Sequence, residues 1–201
     1  MKIGSHNTFT YLPVKQWYLK PFAFMARCQE VDVWKQYSLG VRFFDLRVRF
    51  DGTDIILCHG VFKYKFSAED FYHMLCKFNN CKGIYIRVGL ETRKDNSKYN
   101  EQFKTFCSWL EAEFKNIKFV GGTNKNFDMN KPIYEFINNM PEVAEKHASV
   151  TSIFHCSSNA ILRVIDDWFP KFYAKHFNKI NIAANKNSRC DYMLIDFVNI
   201  K

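Results

Sequence analysis

The chain has 201 residues and a formal net charge of +9; 47% of residues are hydrophobic and 24% charged. One globular domain is expected, with chain enough for a sizeable core, and the apolar and charged content is ordinary for a soluble globular protein. The positive charge favours anionic partners, and without an RNP, zinc-finger or helix-turn-helix signature an anionic membrane surface is preferred over nucleic acid.

In chain order, short apolar runs alternate with longer amphipathic stretches. Strands are predicted at 2–6, 41–49, 54–59, 83–89, 116–121, 151–156, 179–184 and 191–198. Helices are predicted at 30–39, 67–79, 98–115, 131–147 and 159–175. The rhythm argues an α/β fold around a mostly parallel sheet. Ser67 followed by Glu69 and Asp70 marks a helix start. Only Phe50-Asp51-Gly52-Thr53 separates the second strand from the third. A parallel crossover needs about a dozen residues or more, and Asp-Gly is a tight-turn signal. A hairpin is therefore expected there, returning His59 toward Arg47.

The run Phe43-Phe44-Asp45-Leu46-Arg47-Val48 carries the chemistry. Phe44, Leu46 and Val48 point to one face of a strand; Asp45 and Arg47 point to the other. An acid and a guanidinium on a buried strand are costly unless they pair or serve a site. Two histidine turns flank the run, Gly4-Ser5-His6-Asn7 and Leu57-Cys58-His59-Gly60. Two histidines offer a general base and a general acid, and Arg47 a fixed charge for an anionic transition state. This inventory suits metal-free cleavage of a phosphodiester. Asp196, beyond Leu194, is the candidate partner that would orient His6. Arg87 and Glu91 share a face of the fourth-strand run Ile84–Glu91, either to grip a headgroup or to form a structural ion pair.

Residues 3–66 resemble the X region of the phosphatidylinositol-specific phospholipase C family. The resemblance rests on Ile3-Gly4-Ser5-His6-Asn7-Thr8, Cys28-Gln29, the stretch from Trp34 to Val48, and Cys58-His59-Gly60. It returns at Met193-Leu194-Ile195-Asp196-Phe197-Val198. The resemblance implies an irregular (β/α)8 TIM barrel spanning residues 1–201, with the site at the C-terminal strand ends. It implies His6 as the base acting on the inositol 2-hydroxyl, Arg47 on the phosphate oxygens and His59 as the acid for the glycerol oxygen. The products would be diacylglycerol and inositol 1,2-cyclic phosphate. Asp45 would orient Arg47 or a histidine, and Asn7, Arg87 and Glu91 would contact substrate.

Animal members place a calcium-binding acid where Arg47 stands, so no cofactor is expected and the bacterial, metal-independent type is favoured. Asn7 departs from that type, in which an Asp follows the first His; Asn there is the calcium-dependent pattern. Family members also carry a charged residue near Gly89. Two rivals stand beside this reading. One is a metal-dependent glycerophosphodiesterase or phospholipase D relative; the other is a non-catalytic lipid-binding or structural barrel.

The seven cysteines are scattered without C-x-x-C spacing and read as free thiols. Met1 runs straight into the first motif with no signal peptide, and no apolar run approaches the roughly 20 residues that span a bilayer. The expectation is a cytoplasmic or peripheral-membrane protein, of viral or cellular origin. Tyr11, Trp17, Tyr18, Phe22 and Phe24, interleaved with Lys15 and Lys20, are either core aromatics or a lipid-facing rim. A Cys156–His155 nucleophile pair is disfavoured because strand neighbours point to opposite faces. His73, His147 and His176 read as surface residues, and Val120-Gly121-Gly122-Thr123 as a strand-end turn.

Overall fold

A computed structural model describes residues 1–91, 99–120, 143–145, 168–187 and 189–200. Its strands are β1 (Lys2–Ser5), β2 (Phe43–Asp51), β3 (Asp54–His59), β4 (Phe62–Lys63), β5 (Tyr85–Leu90), β6 (Lys118–Val120), β7 (Val143–Glu145) and β8 (Tyr192–Ile195). Its helices are α1 (Val33–Ser38), α2 (Ala68–Asn79), α3 (Asn100–Glu113) and α4 (Pro170–Ala184), with a 3₁₀ segment at Trp17–Ala26.

Parallel pairing runs β7-β8-β1-β2-β5-β6. The end of β2 folds back antiparallel onto β3, with Asp51 opposite Asp54, and β3 pairs with β4. Gly52 takes φ +64 in that turn, as the Asp-Gly signal requires. The antiparallel excursion is therefore as expected. Among the described residues the sheet is mixed, and β6 and β7 end it without pairing to each other, so a part of the expected barrel is described and its closure is not.

Alternation decides what each face buries. Phe44, Leu46 and Val48 of β2 join Ile86, Val88 and Leu90 of β5 and Met193 and Ile195 of β8 in the main core. Phe71, Leu75 and Phe78 of α2 and Phe103, Phe106 and Leu110 of α3 complete it. The opposite face carries a smaller cluster of Phe43, Val120, Tyr192 and Leu194, with Tyr85 packed against it. The Phe43, Tyr85 and Tyr192 rings lie 5.2–6.1 Å apart by centroid. Asp45 and Arg47 follow Phe43 on this second face, above an aromatic floor. Gly4 lets β1 approach so closely that an added Cβ would meet Leu194 Cδ2 and lie 3.2 Å from the Phe43 carbonyl oxygen.

Helix α2 starts where the sequence says: the Ser67 hydroxyl accepts from the Asp70 N–H at 2.9 Å. Asp32 caps α1 by accepting from the N–H groups of Trp34 and Lys35. Two elements differ from expectation. The predicted strand 179–184 is the last part of α4, which Pro170 opens at a position where its missing N–H costs nothing. The Ile180/Ile182 alternation misleads because the buried residues Tyr173, Ala174, Asn178 and Asn181 follow a helical period. Within the predicted helix 131–147, residues 143–145 are strand β7, whose parallel pairing to β8 supplies its hydrogen bonds. The predicted strand 151–156 and the start of the predicted helix 159–175 lie outside the described residues, as do His147, His155 and Cys156.

Candidate active site

Parallel register converts strand ends into a cluster. Ser5 pairs with Ile195, so His6 and Asp196, the next residues, emerge side by side. His6 Nδ1 donates to Asp196 Oδ1 at 2.7 Å. On β2 and β5, Asp45 is in register with Arg87 and Arg47 with Gly89. Arg47 Nε donates to both Asp45 oxygens at 3.1 and 3.0 Å, and Arg87 Nε donates to Oδ1 at 2.8 Å. The Asn7 N–H donates to Asp45 Oδ2 at 3.1 Å. The hairpin delivers His59 from the other side, its ring centroid 6.4 Å from that of His6. His59 Nδ1 donates to the Ala26 carbonyl at 3.0 Å.

His6, Asn7, Asp45, Arg87, Glu91 and Asp196 are buried; Arg47 and His59 are the half-buried members. Asp45 has no exposure at all. Burial opposes its charge, but Arg47 and Arg87, and then His6, outweigh that and hold its carboxyl far below the usual range. Burial likewise opposes charge on Arg47, yet the carboxylates of Asp45 and Glu91 prevail and raise its pKa. Arg87 is pulled down to about 10 by burial, with Asp45 resisting and Arg47 adding to the fall. Burial lowers the pKa of His6 well below 6.5; Asp45 resists, while Arg47, His59 and Arg87 add to the effect. His6 Nδ1 carries a proton toward Asp196, and the Asn7 amide donates to Nε2 at 3.2 Å.

Sequence reasoning expected Arg87 and Glu91 to face substrate or to pair with each other. In the structure Arg87 donates to Asp45, and Glu91 braces the histidine turn. Glu91 Oε1 accepts from the Gly60 N–H at 2.5 Å, and its carbonyl accepts from Arg49 Nε. Arg49 in turn donates to the Gly60 carbonyl at 2.7 Å. Gly60 has φ +56, a conformation that suits glycine. Gly89, where a charged residue was expected from the family pattern, leaves room for Arg47. A Cβ there would lie 3.2 Å from Arg47 Cδ.

No role was read in the sequence for the fasteners of the site. Gln29 donates to the carbonyls of His6 and Ile195 and accepts from the Val198 N–H, clamping the turns of His6 and Asp196. Thr10 Oγ1 donates to the Asn7 carbonyl and accepts from the N–H groups of Cys28 and Gln29. Thr8 Oγ1 accepts from the Asp45 N–H. Asn178 on α4 donates to the Asp196 carbonyl. The described non-glycine residues with positive φ are Asn7 (42°) and Phe197 (49°), the residues after His6 and Asp196. Backbone held in this sparse region needs a surrounding network to fix it. The available signal was a set of polar residues embedded among hydrophobic ones, which points to burial without naming partners.

Asp45 accepts from two guanidiniums and a backbone N–H, and Asp196 accepts from His6.

Four of the five aromatics following the His6 motif are exposed. Trp17 is 78% exposed, and Tyr18, Phe22 and Phe24 are about half exposed; Tyr11 packs against the core instead. Trp168, Phe169 and Phe172 at the start of α4 are also exposed, and the rings of Phe24 and Phe169 stack at 6.0 Å. No helix among the described residues is long and apolar enough to cross a membrane. The cysteines among them form no disulfide. His73 and His176 lie on the surface, beside Glu69 and the Phe172 carbonyl.

No protein-family model matches the chain, and no curated protein sequence matches it. Solved structures do. The chain superposes on the phosphatidylinositol-specific phospholipase C of Listeria monocytogenes with a TM-score of 0.60 at 14% identity, covering 98% of this chain and 88% of that one. The Staphylococcus aureus phosphatidylinositol-specific phospholipase C gives 0.53 at 15% identity, with 98% and 85% covered. The mixed α/β fold is similar to that of these bacterial phosphatidylinositol-specific phospholipases C. At such identity the likeness speaks for the fold alone.

Proposed function

We propose that the protein is a phosphodiesterase of the phosphatidylinositol-specific phospholipase C type, acting on phospholipid at a membrane surface without a metal. The observation that carries this reading is the pair of histidines 6.4 Å apart, one backed by a carboxylate, beside a carboxylate-anchored arginine at the strand ends. The barrel of the family belongs to the same reading.

In this mechanism Asp196 holds the Nδ1–H of His6, so Nε2 takes the proton of the inositol 2-hydroxyl. The hydroxyl oxygen attacks phosphorus as the bond to the glycerol oxygen breaks. His59, its Nδ1–H held by Ala26, gives a proton from Nε2 to that leaving oxygen. Arg47, anchored through Nε, offers its planar fork to the non-bridging oxygens. Asp45 and Arg87 position Arg47 and do not touch substrate. The products are diacylglycerol and inositol 1,2-cyclic phosphate. A panel of phospholipid vesicles tests the assignment. Phosphatidylinositol is expected to be cleaved to the cyclic product at equal rates with and without EDTA. Loss of activity in EDTA, restored by calcium, would transfer the protein to the metal-dependent class. No turnover on any lipid would leave a non-catalytic barrel.

The exposed aromatics extend the proposal to the membrane. Trp17, Phe22, Phe24, Phe169 and Phe172, with Lys20 and Lys171 between them in sequence, suit an anionic interface. Each Lys or Arg near an anionic leaflet contributes about 1 kcal/mol, screened by salt. Vesicle sedimentation is expected to show binding that rises with anionic lipid and falls with salt. Replacing Trp17 and Phe22 by Ala should weaken it further. Binding indifferent to salt and lipid charge would remove the electrostatic part of the proposal.

A further inference from the structure

The nitrogen that the proposed reaction uses as its base is already occupied in the resting site. Asn7 Nδ2 donates to His6 Nε2 at 3.2 Å, while Nδ1 of the same ring is held by Asp196. An imidazole nitrogen offers one acceptor position, so Nε2 cannot serve the amide and a substrate hydroxyl together. The Asn7 backbone is pinned on both sides. Its N–H donates to Asp45 Oδ2 at 3.1 Å, and its carbonyl accepts from the N–H and the hydroxyl of Thr10 at 3.1 and 2.9 Å. The side chain is held more lightly. Besides His6, its amide nitrogen meets the Cys28 sulfur, a weak acceptor, at 3.7 Å. Asn7 Oδ1 is buried without a hydrogen-bond partner among the described residues, an arrangement that is costly to keep.

We propose that Asn7 is a displaceable cover on the base: its amide closes the Nε2 lone pair of His6 in the resting site, and a substrate hydroxyl opens it by taking the same place. The proposal rests on the phosphodiesterase reading, which makes Nε2 the base. A turn about the bond from Cβ to the amide carbon breaks the contact while the backbone stays fixed, and that torsion is broad in asparagine. The incoming hydroxyl then donates to Nε2 from the position in which its proton passes to the ring. One hydrogen bond is exchanged for another, and no covalent bond changes. The cover lowers the affinity for a hydroxyl-bearing ligand, because binding is reduced by the fraction of molecules whose base is open. It also selects among anions. A ligand that fills the Arg47 fork but carries no hydroxyl leaves the amide where it is.

The test reads the hydrogen bond itself and needs no turnover. In the intact, isotopically labelled protein, nuclear magnetic resonance is expected to show a scalar coupling between Asn7 Nδ2 and His6 Nε2 across the hydrogen bond. Saturating myo-inositol 1-phosphate should abolish the coupling; sulfate, which has no hydroxyl, should leave it in place. Asn7→Gly removes the amide, and glycine accepts the φ of 42° at this position without strain. Its affinity for myo-inositol 1-phosphate, measured by calorimetry, should rise about 2–12-fold, the net value of one neutral hydrogen bond against water. Removing a side chain that only supports the fold would weaken binding or leave it unchanged. Absence of the coupling from wild type would overturn the cover. A coupling that survives saturation by myo-inositol 1-phosphate, or an Asn7→Gly affinity no higher than that of wild type, would overturn its displacement by substrate. A coupling that the probe displaces, in a protein that cleaves no lipid, would keep the cover and sink the phosphodiesterase reading.

Discussion

Replacing either His6 or His59 by Ala is expected to lower the rate of phosphatidylinositol cleavage by about 10²–10⁴-fold, the usual value of one positioned proton transfer. The two serve one reaction, so the double variant should fall well short of the product of the single losses. Both variants should keep the far-ultraviolet spectrum and unfold cooperatively, because Gln29 and Thr10 fix the first turn through its backbone and not through the imidazole. The pH profile distinguishes a base from a bystander. Burial, with Arg47, His59 and Arg87 adding to it against Asp45, lowers the pKa of His6 well below 6.5. Its unprotonated form therefore persists into acid, and the acidic limb of kcat/KM should fall well below pH 6.5. A limb at or above 6.5, or near-normal turnover in either variant, would remove the acid–base assignment.

The second large effect concerns Asp45. Its carboxylate is the shared counter-charge of two guanidiniums, one buried on Arg87 and one half-buried on Arg47. Asp45→Ala leaves both without it, and breaking a buried pair in this way costs about 3–5 kcal/mol. Urea unfolding should move accordingly, and activity should go with it. Arg47→Lys keeps the charge but loses the planar fork. It should stay folded while the rate falls about 10²–10³-fold, the value of one transition-state donor. Equal stability of Asp45→Ala and wild type would show that the pair is not structural, and full activity of Arg47→Lys would remove the bidentate role. The pH dependence has a definite sign. The folded-state pKa of Asp45 is depressed, so its stabilisation is complete above the unfolded carboxylate value of about 3.9 and is lost as pH falls below it.

Local pattern was sufficient for much of the fold. The period-2 run from Phe43 to Val48 assigned each residue to its face, because alternation in a strand is a property of the backbone and not of its neighbours. Asp51-Gly52 required a turn, and Ser67 a helix start, for equally local reasons. Where local cues conflicted they failed. Residues 179–184 alternate like a strand yet continue a helix, since the contact of Asn178 with the Asp196 carbonyl is made only in the folded chain.

The candidate site divides along the same line. The sequence by itself named the ionisable groups that meet at the strand ends: His6, Asp45, Arg47, His59 and Asp196, from residue type, spacing and family resemblance. Only the tertiary structure decided what each group is tied to. Arg87 and Glu91 look alike in sequence, an ionisable pair on one strand face. Register sends Arg87 to Asp45, while the returning hairpin sends Gly60 to Glu91. Trp17 to Phe24 is half of an exposed aromatic surface whose other half, Trp168 to Phe172, lies far along the chain. Cys28 is one thiol among seven in the sequence and becomes a neighbour of both histidines only when β1, β3 and β8 bring their ends together. The physical reason is common to all of these. Residue chemistry and strand alternation are carried by the chain itself, whereas ion pairs, clamps and surfaces arise between segments whose separation in sequence says nothing of their distance in space.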